Sequence, residues 1–125
     1  MSELLSGRRI LVVEDEMLIL MMIEGILEDL GCRSVTSAAT VKKAITLIET
    51  EFFDAAMLDM NLAGEDSSRV ADALSERAVP FIYSTGTDRR DMAAASRDHA
   101  VLFKPYKETD MIAALTQLSN AFPDR

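Results

Sequence analysis

The chain has 125 residues, of which 49% are hydrophobic and 27% are charged, and these values predict one globular domain over residues 1–125. Its net charge of −8 argues against nucleic acid as a direct partner and favours cations, or basic or apolar protein surfaces. Cys32 is the only cysteine, which excludes an internal disulfide, and the longest apolar run, residues 17–23, is too short to span a bilayer. Because no segment resembles a signal peptide either, we expect a cytoplasmic protein that does not contact the membrane.

Five short apolar segments have the composition of buried parallel strands. They are Arg9–Val13, Arg33–Ser37, Ala55–Asp59, Phe81–Ser84 and Val101–Phe103. Pro80 precedes the fourth segment, and a missing N–H is tolerated at the start of a strand. Because longer helical patterns separate the segments, the sequence predicts an α/β doubly wound parallel sheet with right-handed crossovers.

Four segments carry apolar residues at the spacing of an amphipathic helix, and a fifth, residues 88–96, is a weak helix candidate. The four are Met17–Leu30, Val41–Glu49, a helix that ends at Arg77, and Glu108–Phe122. Gly31 is placed to end the first helix as its C′ residue, and Thr40 is an N-cap candidate for the second. Either Asp66 or Ser67 is expected to cap the third helix.

Polar side chains end or follow four of the five predicted strands. In chain order they are Glu14, Asp15 and Glu16, then Asp59, then Thr85, and finally Lys104. The carboxyl ends of parallel strands share one edge of a sheet, which is where ligands bind in such folds. Clustered carboxylates raise one another's pKa unless a cation is present, and an oxygen-only site suits Mg²⁺. The sequence therefore predicts a magnesium site at this edge.

The same residues suit phosphoryl chemistry. Asp59 is a candidate nucleophile toward phosphorus, which would give an aspartyl phosphate. Lys104 and Mg²⁺ would neutralise the phosphoryl oxygens, and the Thr85 hydroxyl would donate a hydrogen bond to one of them. Alternatives stay open, because Asp59 could cap a turn and Ser84 is a rival of Thr85. We interpret Glu16 as a solvated acidic residue in the first turn of a helix.

Four motifs in chain order carry a family resemblance. They read "LVVEDE", "MLDMNL", "YSTG" and "FKPY", and each stands at the end of its own predicted strand. Together they resemble the receiver domain of the two-component response regulators, over essentially the whole chain. The resemblance implies a flavodoxin-like fold, in which helices cover both faces of a five-stranded parallel sheet with the strand order 2-1-3-4-5.

The resemblance also implies a role for each site residue. Asp59 would be the phosphoacceptor, and Thr85 and Lys104 would contact the phosphoryl group. The implied Mg²⁺ ligands are Glu14, mainly through metal-bound water, Asp15, Asp59 and the Asn61 carbonyl. A cis peptide bond between Lys104 and Pro105 would let the lysine turn toward Asp59.

Three features depart from the common pattern of this family, and the first is Glu14, at a position where Asp is also common. Val101 stands three residues before Lys104, where the family often has an aromatic side chain that swings inward on activation. Thr85 and Gly86 are therefore expected to carry the switch, with residues 88–96 becoming ordered on activation. The stretch from Thr85 to Lys104 is shorter than in many members of the family, and with the Thr-Gly pair in "YSTGTD" it partly resembles the FAT GUY subgroup, largely stand-alone regulators of alphaproteobacteria.

The first predicted helix is apolar on more sides than a helix with one face on a sheet requires. The residues that can face the core are Ile19, Met22, Ile23, Ile26 and Leu27. Leu18 and Met21 then lie near the surface, either as scattered exposed residues or as a patch for a partner. The resemblance implies that a sensor histidine kinase or phosphotransfer protein docks on this helix, at Leu18, Met21 and Met22, and on the loop at Pro105.

The sequence thus predicts a stand-alone response regulator with no effector domain, because the chain ends about where the last predicted helix ends. It would take a phosphoryl group from a kinase phosphohistidine onto Asp59, hydrolyse it slowly and signal by protein–protein contact. Two other functions stay open, which are a phosphate sink or shuttle without a downstream partner and an adaptor that works without phosphorylation. The intact acids, Thr85 and Lys104 argue against the adaptor.

Overall fold

Strands and helices alternate along the chain. The structure is a computed structural model that describes residues 4–62, 64–85, 101–104 and 107–123. Its strands are β1 (Arg9–Val13), β2 (Ser34–Ala38), β3 (Ala55–Asp59), β4 (Asn61–Leu62), β5 (Glu65–Asp66), β6 (Phe81–Thr85) and β7 (Val101–Phe103). Its α-helices are α1 (Met17–Asp29), α2 (Val41–Thr50), α3 (Ser68–Glu76) and α4 (Glu108–Leu118), and a 3₁₀ helix, Ser119–Ala121, follows α4.

Five strands form one parallel sheet in the order β2-β1-β3-β6-β7. The strands β4 and β5, which the sequence did not predict, form a separate antiparallel hairpin. When the hairpin strands are left out of the numbering, the main sheet has the predicted order 2-1-3-4-5, and the flavodoxin-like fold is confirmed. In the register of the sheet, Asp59 lies opposite Ser84, and Thr85 lies opposite Phe103. The carboxyl ends of the strands therefore meet at one edge.

Hydrophobic side chains cover both faces of the sheet, so the core has two parts. Side chains at alternate strand positions, such as Val12, Met57 and Ile82, pack with α1 and α4 on one face. The intervening side chains, such as Leu11 and Leu58, pack with α2 and α3 on the other face. Each large aliphatic side chain buried in this way contributes about 1.5–3 kcal/mol of hydrophobic stabilisation, so the strands form a rigid base for the polar edge.

Three strand boundaries differ from the prediction by one residue, because pairing decides them. β2 runs from Ser34 to Ala38 rather than from Arg33 to Ser37, and Ala38 still pairs with Val13 of β1. The backbone N of Arg33 donates to the Arg8 carbonyl at 2.7 Å, one position before β1 begins. β6 continues to Thr85 rather than ending at Ser84, because β7 still pairs with it there.

Two helix ends follow the signals that the sequence carries. The Thr40 side chain accepts a hydrogen bond from the backbone N of Lys43 at 3.1 Å, which confirms it as the N-cap of α2. Gly31 follows α1 with a φ of 88°, the left-handed conformation that a C′ glycine provides. The observed last residues of the four helices are Asp29, Thr50, Glu76 and Leu118, where the prediction had Leu30, Glu49, Arg77 and Phe122.

The start of α3 divides the capping role between two residues. Ser67 occupies the N-cap position, but its side chain makes no capping hydrogen bond. Asp66 lies one residue earlier, and its Oδ1 accepts a hydrogen bond from the backbone N of Ser68 at 2.6 Å. Both alternatives left open by the sequence are thus partly correct.

Helix α1 exposes apolar side chains to solvent. The prediction that Met22 faces the core is wrong, because 41% of its surface is exposed, and Leu20 is buried instead. The buried residues of the helix are Leu20, Ile23, Ile26 and Leu27. The large apolar side chains that it exposes are Met17, Leu18, Met21 and Met22. Among the described residues, no helix is both long enough and apolar enough to cross a membrane.

Ala78 follows α3 with a φ of 57°, a left-handed conformation that glycine adopts more readily. Its backbone N donates to the Ser75 carbonyl, and the backbone N of Val79 donates to the Leu74 carbonyl, which is the pattern of a Schellman helix end. We expect Ala78→Gly to raise the free energy of unfolding by about 0.5–1 kcal/mol in urea denaturation, because it relieves the left-handed alanine. The same substitution at Ala113, inside α4, should lower it by about 1 kcal/mol. Destabilisation by both substitutions would contradict the assignment.

Candidate functional site

The carboxyl ends of three parallel strands bring an ammonium group and two carboxylates together. Glu14 directly follows β1, Asp59 is the last residue of β3, and Lys104 directly follows β7. Main-chain pairing extends past two of these strands. The backbone N of Glu14 donates to the Ala38 carbonyl at 3.0 Å, and the backbone N of Lys104 donates to the Thr85 carbonyl at 2.7 Å. The backbone therefore fixes the positions from which the side chains project.

The two carboxylates project from the same face of the sheet. Side chains alternate along a strand, and Val12 and Met57, two residues before Glu14 and Asp59, belong to the core under α1. Glu14 and Asp59 therefore continue this face beyond the hydrophobic core. Burial extends to both, since Glu14 is 2% exposed and Asp59 is 5% exposed. Carboxylates buried to this degree require cationic or hydrogen-bonding partners.

Lys104 supplies the cation. Its Nζ lies 3.1 Å from Oε1 of Glu14 and 3.0 Å from Oδ2 of Asp59. A third carboxylate, that of Glu16, places its Oε2 2.9 Å from the same nitrogen. Two backbone groups also donate to the acids, the N of Glu16 to Oε2 of Glu14 at 3.0 Å and the N of Asn61 to Oδ1 of Asp59 at 3.1 Å. The ammonium is thus shared among three carboxylates.

The interpretation of Glu16 as only a solvated first-turn residue is wrong. Glu16 is the N-cap residue of α1, and its carboxylate pairs with Lys104 although 59% of the side chain is exposed. The contact joins residues that lie 88 positions apart in the chain, so helix patterns could not reveal it. The only available signal was the third acid of the sequence "EDE".

Burial and charge shift the pKa of two groups in the site. Burial raises the pKa of Glu14 from its ordinary 4.5 to about 7, and the neighbouring Asp59 carboxylate adds to the rise. The hydrogen bonds from the Glu16 backbone and from Lys104 offset part of this increase. Burial alone would lower the pKa of Lys104, but hydrogen bonds to the three carboxylates outweigh it and raise that pKa above its ordinary value. Lys104 is therefore charged at neutral pH. A further cation near Glu14 would stabilise the ionised form of its carboxyl group.

Asp15 adds another carboxylate to this edge of the sheet. One carboxylate oxygen from each of Glu14, Asp15 and Asp59 lies within 4.8 Å of the others. Mg²⁺ prefers oxygen ligands and takes one or two carboxylates together with several waters, so this donor set fits the ion. Asn61, the fourth predicted ligand, begins β4 two residues after Asp59. Its side-chain Oδ1 accepts a hydrogen bond from the backbone N of Gly64 at 2.9 Å.

Two hydroxyl side chains lie at the end of β6. Ser84 pairs with Asp59 in the sheet register, so the two side chains share one face. Thr85 is also buried, and strand alternation places its side chain on the opposite face. The Ser84 Oγ has no hydrogen-bond partner within the described ranges. The prediction preferred Thr85 as the hydroxyl that contacts the phosphoryl group. Ser84 stays an alternative for this role, because it shares a face with Asp59.

Several predicted features lie outside the described residues. They are Gly86, residues 88–96, and Pro105 with its predicted cis bond and docking loop. They stay predictions.

Comparison with known proteins adds a family match. A family model described as "Response regulator receiver domain" matches residues 10–116. The chain is similar to the transcriptional regulatory protein PdtaR of Mycobacterium tuberculosis, with 31% identity over 112 residues. That match covers 86% of this chain and 55% of PdtaR, so the chain spans about half the length of this curated relative.

Two solved structures are also similar. SdrG from Sphingomonas melonis Fr1, solved in solution, is 41% identical with a TM-score of 0.75, and the match covers 94% of this chain and 98% of that one. The receiver domain of the sensor histidine kinase PA1611 from Pseudomonas aeruginosa PAO1 is 28% identical with a TM-score of 0.78, over 92% of this chain and 99% of that one. The PA1611 structure has a magnesium ion coordinated in its active-site cleft.

Proposed function

The chain belongs to the response regulator receiver domain family of two-component systems, and from this premise we propose that Asp59 accepts a phosphoryl group from a histidine kinase or phosphotransfer protein. The observation that carries the proposal is the surroundings of Asp59. Its Oδ2 lies 3.0 Å from the Lys104 ammonium, and two further carboxylates, those of Glu14 and Asp15, stand beside it. A carboxylate held next to a fixed cation and a potential metal site is suited to attack phosphorus.

Transfer to Asp59 is a displacement at phosphorus. A carboxylate oxygen of Asp59 donates an electron pair to form a new O–P bond, and the bond from phosphorus to the leaving group breaks with its electron pair remaining on the donor. Lys104 neutralises negative charge on the transferring group. The Thr85 hydroxyl, with Ser84 as its alternative, donates a hydrogen bond to a phosphoryl oxygen. Water then slowly attacks phosphorus, the O–P bond to Asp59 breaks, and inorganic phosphate leaves while Asp59 returns to the free carboxylate.

The residues that we propose to hold Mg²⁺ are Glu14, Asp15, Asp59 and the Asn61 carbonyl. When bound, Mg²⁺ would supply positive charge next to the phosphoryl oxygens. Support comes from the three carboxylate oxygens that lie within 4.8 Å of one another, and from the magnesium ion in the similar PA1611 receiver domain.

We expect a small phosphodonor with Mg²⁺ to add one phosphoryl group per chain, as measured by intact-protein mass spectrometry. The product should be labile to hydroxylamine, as an acyl phosphate is, and EDTA should prevent its formation because the carboxylate cluster then lacks the metal. Equal labelling in EDTA would contradict the proposed role of the metal. No labelling with any donor would contradict the proposal as a whole.

The exposed face of α1 supports a docking role for this helix. Leu18 is 82% exposed and Met21 is 59% exposed, and Met17 and Met22 adjoin them. Contiguous apolar surface marks interaction sites, and methionine side chains adapt to a partner's shape. We assign Leu18, Met21 and Met22 to contact with the histidine kinase or phosphotransfer protein, together with the loop at Pro105.

The double substitution Leu18→Glu and Met21→Glu should slow phosphoryl transfer from the phosphorylated partner by about ten-fold or more, because it removes two apolar contacts. Labelling by a small phosphodonor should not change, since neither side chain belongs to the acidic site. Phe52→Glu, at an exposed apolar residue between α2 and β3, is the matched control and should leave both rates unchanged. Equal rates of partner transfer in the double variant and the wild type would contradict the assignment.

The output that we propose is contact with a downstream protein, made by a stand-alone receiver domain in the cytoplasm. Membership of the FAT GUY subgroup stays a prediction.

A further inference from the structure

Glu16 contacts Lys104 at least as closely as the two buried acids do. Its Oε2 lies 2.9 Å from the lysine Nζ, against 3.0 Å for Asp59 and 3.1 Å for Glu14. The three acids differ in exposure, since 59% of the Glu16 side chain is exposed against 2% for Glu14 and 6% for Asp59. Glu16 therefore holds the ammonium from the solvent side of the site.

The backbone of Glu16 is held in place on both sides. Its carbonyl accepts a hydrogen bond from the backbone N of Leu20 at 2.9 Å, as the N-cap residue of α1. Its own N donates to Oε2 of Glu14 at 3.0 Å. The contact with Lys104 therefore requires only that the side chain of Glu16 be ordered, which keeps the entropic cost of the ion pair low.

Two carboxylates that contact the Lys104 ammonium are also proposed ligands of Mg²⁺. Lys104 contacts Glu14 and Asp59, and both also belong to the carboxylate cluster that fits the metal. An ammonium held only by these two acids would compete with the cation for them. An ammonium held also by Glu16 can give up part of its contact with them and still remain in the site.

We propose that Glu16 is a positioning residue, which keeps Lys104 at the mouth of the site and leaves Glu14 and Asp59 available to Mg²⁺. The inference rests on the proposed function, because it concerns the metal that phosphoryl transfer requires. Glu16 is not one of the three carboxylates that cluster closely enough to hold the metal. It acts through Lys104.

Isothermal titration of Mg²⁺ into the free protein tests this role. Glu16→Gln should weaken Mg²⁺ binding by about two- to five-fold, the range expected from a partly exposed ion pair. Glu16→Asp separates position from charge, because it keeps the carboxylate but shortens the side chain by one methylene. Positioning predicts that the aspartate variant binds Mg²⁺ as weakly as the glutamine variant. Wild-type affinity in the aspartate variant would show that charge alone matters, and would overturn the proposal.

A double-mutant cycle with Lys104→Met supplies a second readout. If Glu16 acts through Lys104, Glu16→Gln should leave the Mg²⁺ affinity unchanged once the lysine is absent. An equal loss of affinity with and without the lysine would mean that Glu16 attracts the metal directly, and would overturn the proposal.

The titration also distinguishes this inference from the proposed function. A wild-type protein that binds no Mg²⁺ overturns both. A wild-type protein that binds Mg²⁺, with unchanged affinity in Glu16→Gln and Glu16→Asp, overturns the positioning role alone.

Discussion

Replacing Lys104 with methionine is expected to lower the free energy of unfolding by about 3 kcal/mol in EDTA. The substitution removes the ammonium that lies within 3.1 Å of both Glu14 and Asp59, which are buried carboxylates. Removing one partner of a buried ion pair leaves a charge that is costly to keep out of water. Protonation of Glu14, whose pKa is already about 7, limits the loss. Urea denaturation in EDTA measures the effect.

Added Mg²⁺ should recover much of the stability of the Lys104→Met variant, because a ligand that binds only the folded state stabilises it by mass action. Lys43→Met is the matched control, since Lys43 is exposed on α2. The free energy of unfolding of this control should differ from that of the wild type by less than about 0.5 kcal/mol, when the two proteins are compared in EDTA or compared in Mg²⁺. Equal stabilities of the two variants in EDTA would mean that Lys104 does not neutralise the buried acids.

Replacing Arg8 with methionine should also lower the free energy of unfolding by about 3 kcal/mol. This residue lies at the opposite edge of the sheet from Lys104. Asp54 is fully buried there, and its Oδ1 accepts a hydrogen bond from Nη1 of Arg8 at 3.1 Å. The same nitrogen donates to the Pro123 carbonyl at 2.7 Å, and the guanidinium lies 5.1 Å from the centre of the Phe122 ring. The substitution therefore removes a cationic partner of a buried carboxylate and a link to the C-terminal segment.

Arg9→Met is the matched control for this prediction. Arg9 is the next residue, and its Nη2 lies 3.5 Å from Oε1 of Glu51 in a pair whose two side chains are each more than a third exposed. Exposed pairs contribute about 0–1 kcal/mol, so this variant should be nearly as stable as the wild type in urea denaturation. A similar loss in both arginine variants would contradict the special role of the buried pair.

The strand-end residues of the site were predictable because the rule behind them is local. Glu14, Asp59 and Lys104 each end or follow an apolar run, and parallel strands collect their carboxyl ends at one edge. The alternation of strands and helices then predicts the sheet, since each signal spans only a few residues. The hairpin formed by β4 and β5 was missed because two-residue strands carry no such pattern.

Contacts between distant side chains were not predictable in the same way. The pairing of Glu16 with Lys104 depends on how α1 is placed against the end of β7, and the pairing of Arg8 with Asp54 joins residues 46 positions apart. The burial of Leu20 in place of Met22 depends on the rotation of α1 about its own axis. A helix that is apolar on several sides leaves this rotation undetermined in the sequence.

Mapping the phosphorylated residue tests the central proposal most directly. The protein is labelled with a small phosphodonor and Mg²⁺, the acyl phosphate is reduced with borohydride, and the peptides are sequenced by mass spectrometry. The reduced residue is expected at position 59 in the wild type, with no label in Asp59→Asn. Reduction at another acid of the cluster, or label that persists in Asp59→Asn, would contradict the proposal that Asp59 accepts the phosphoryl group.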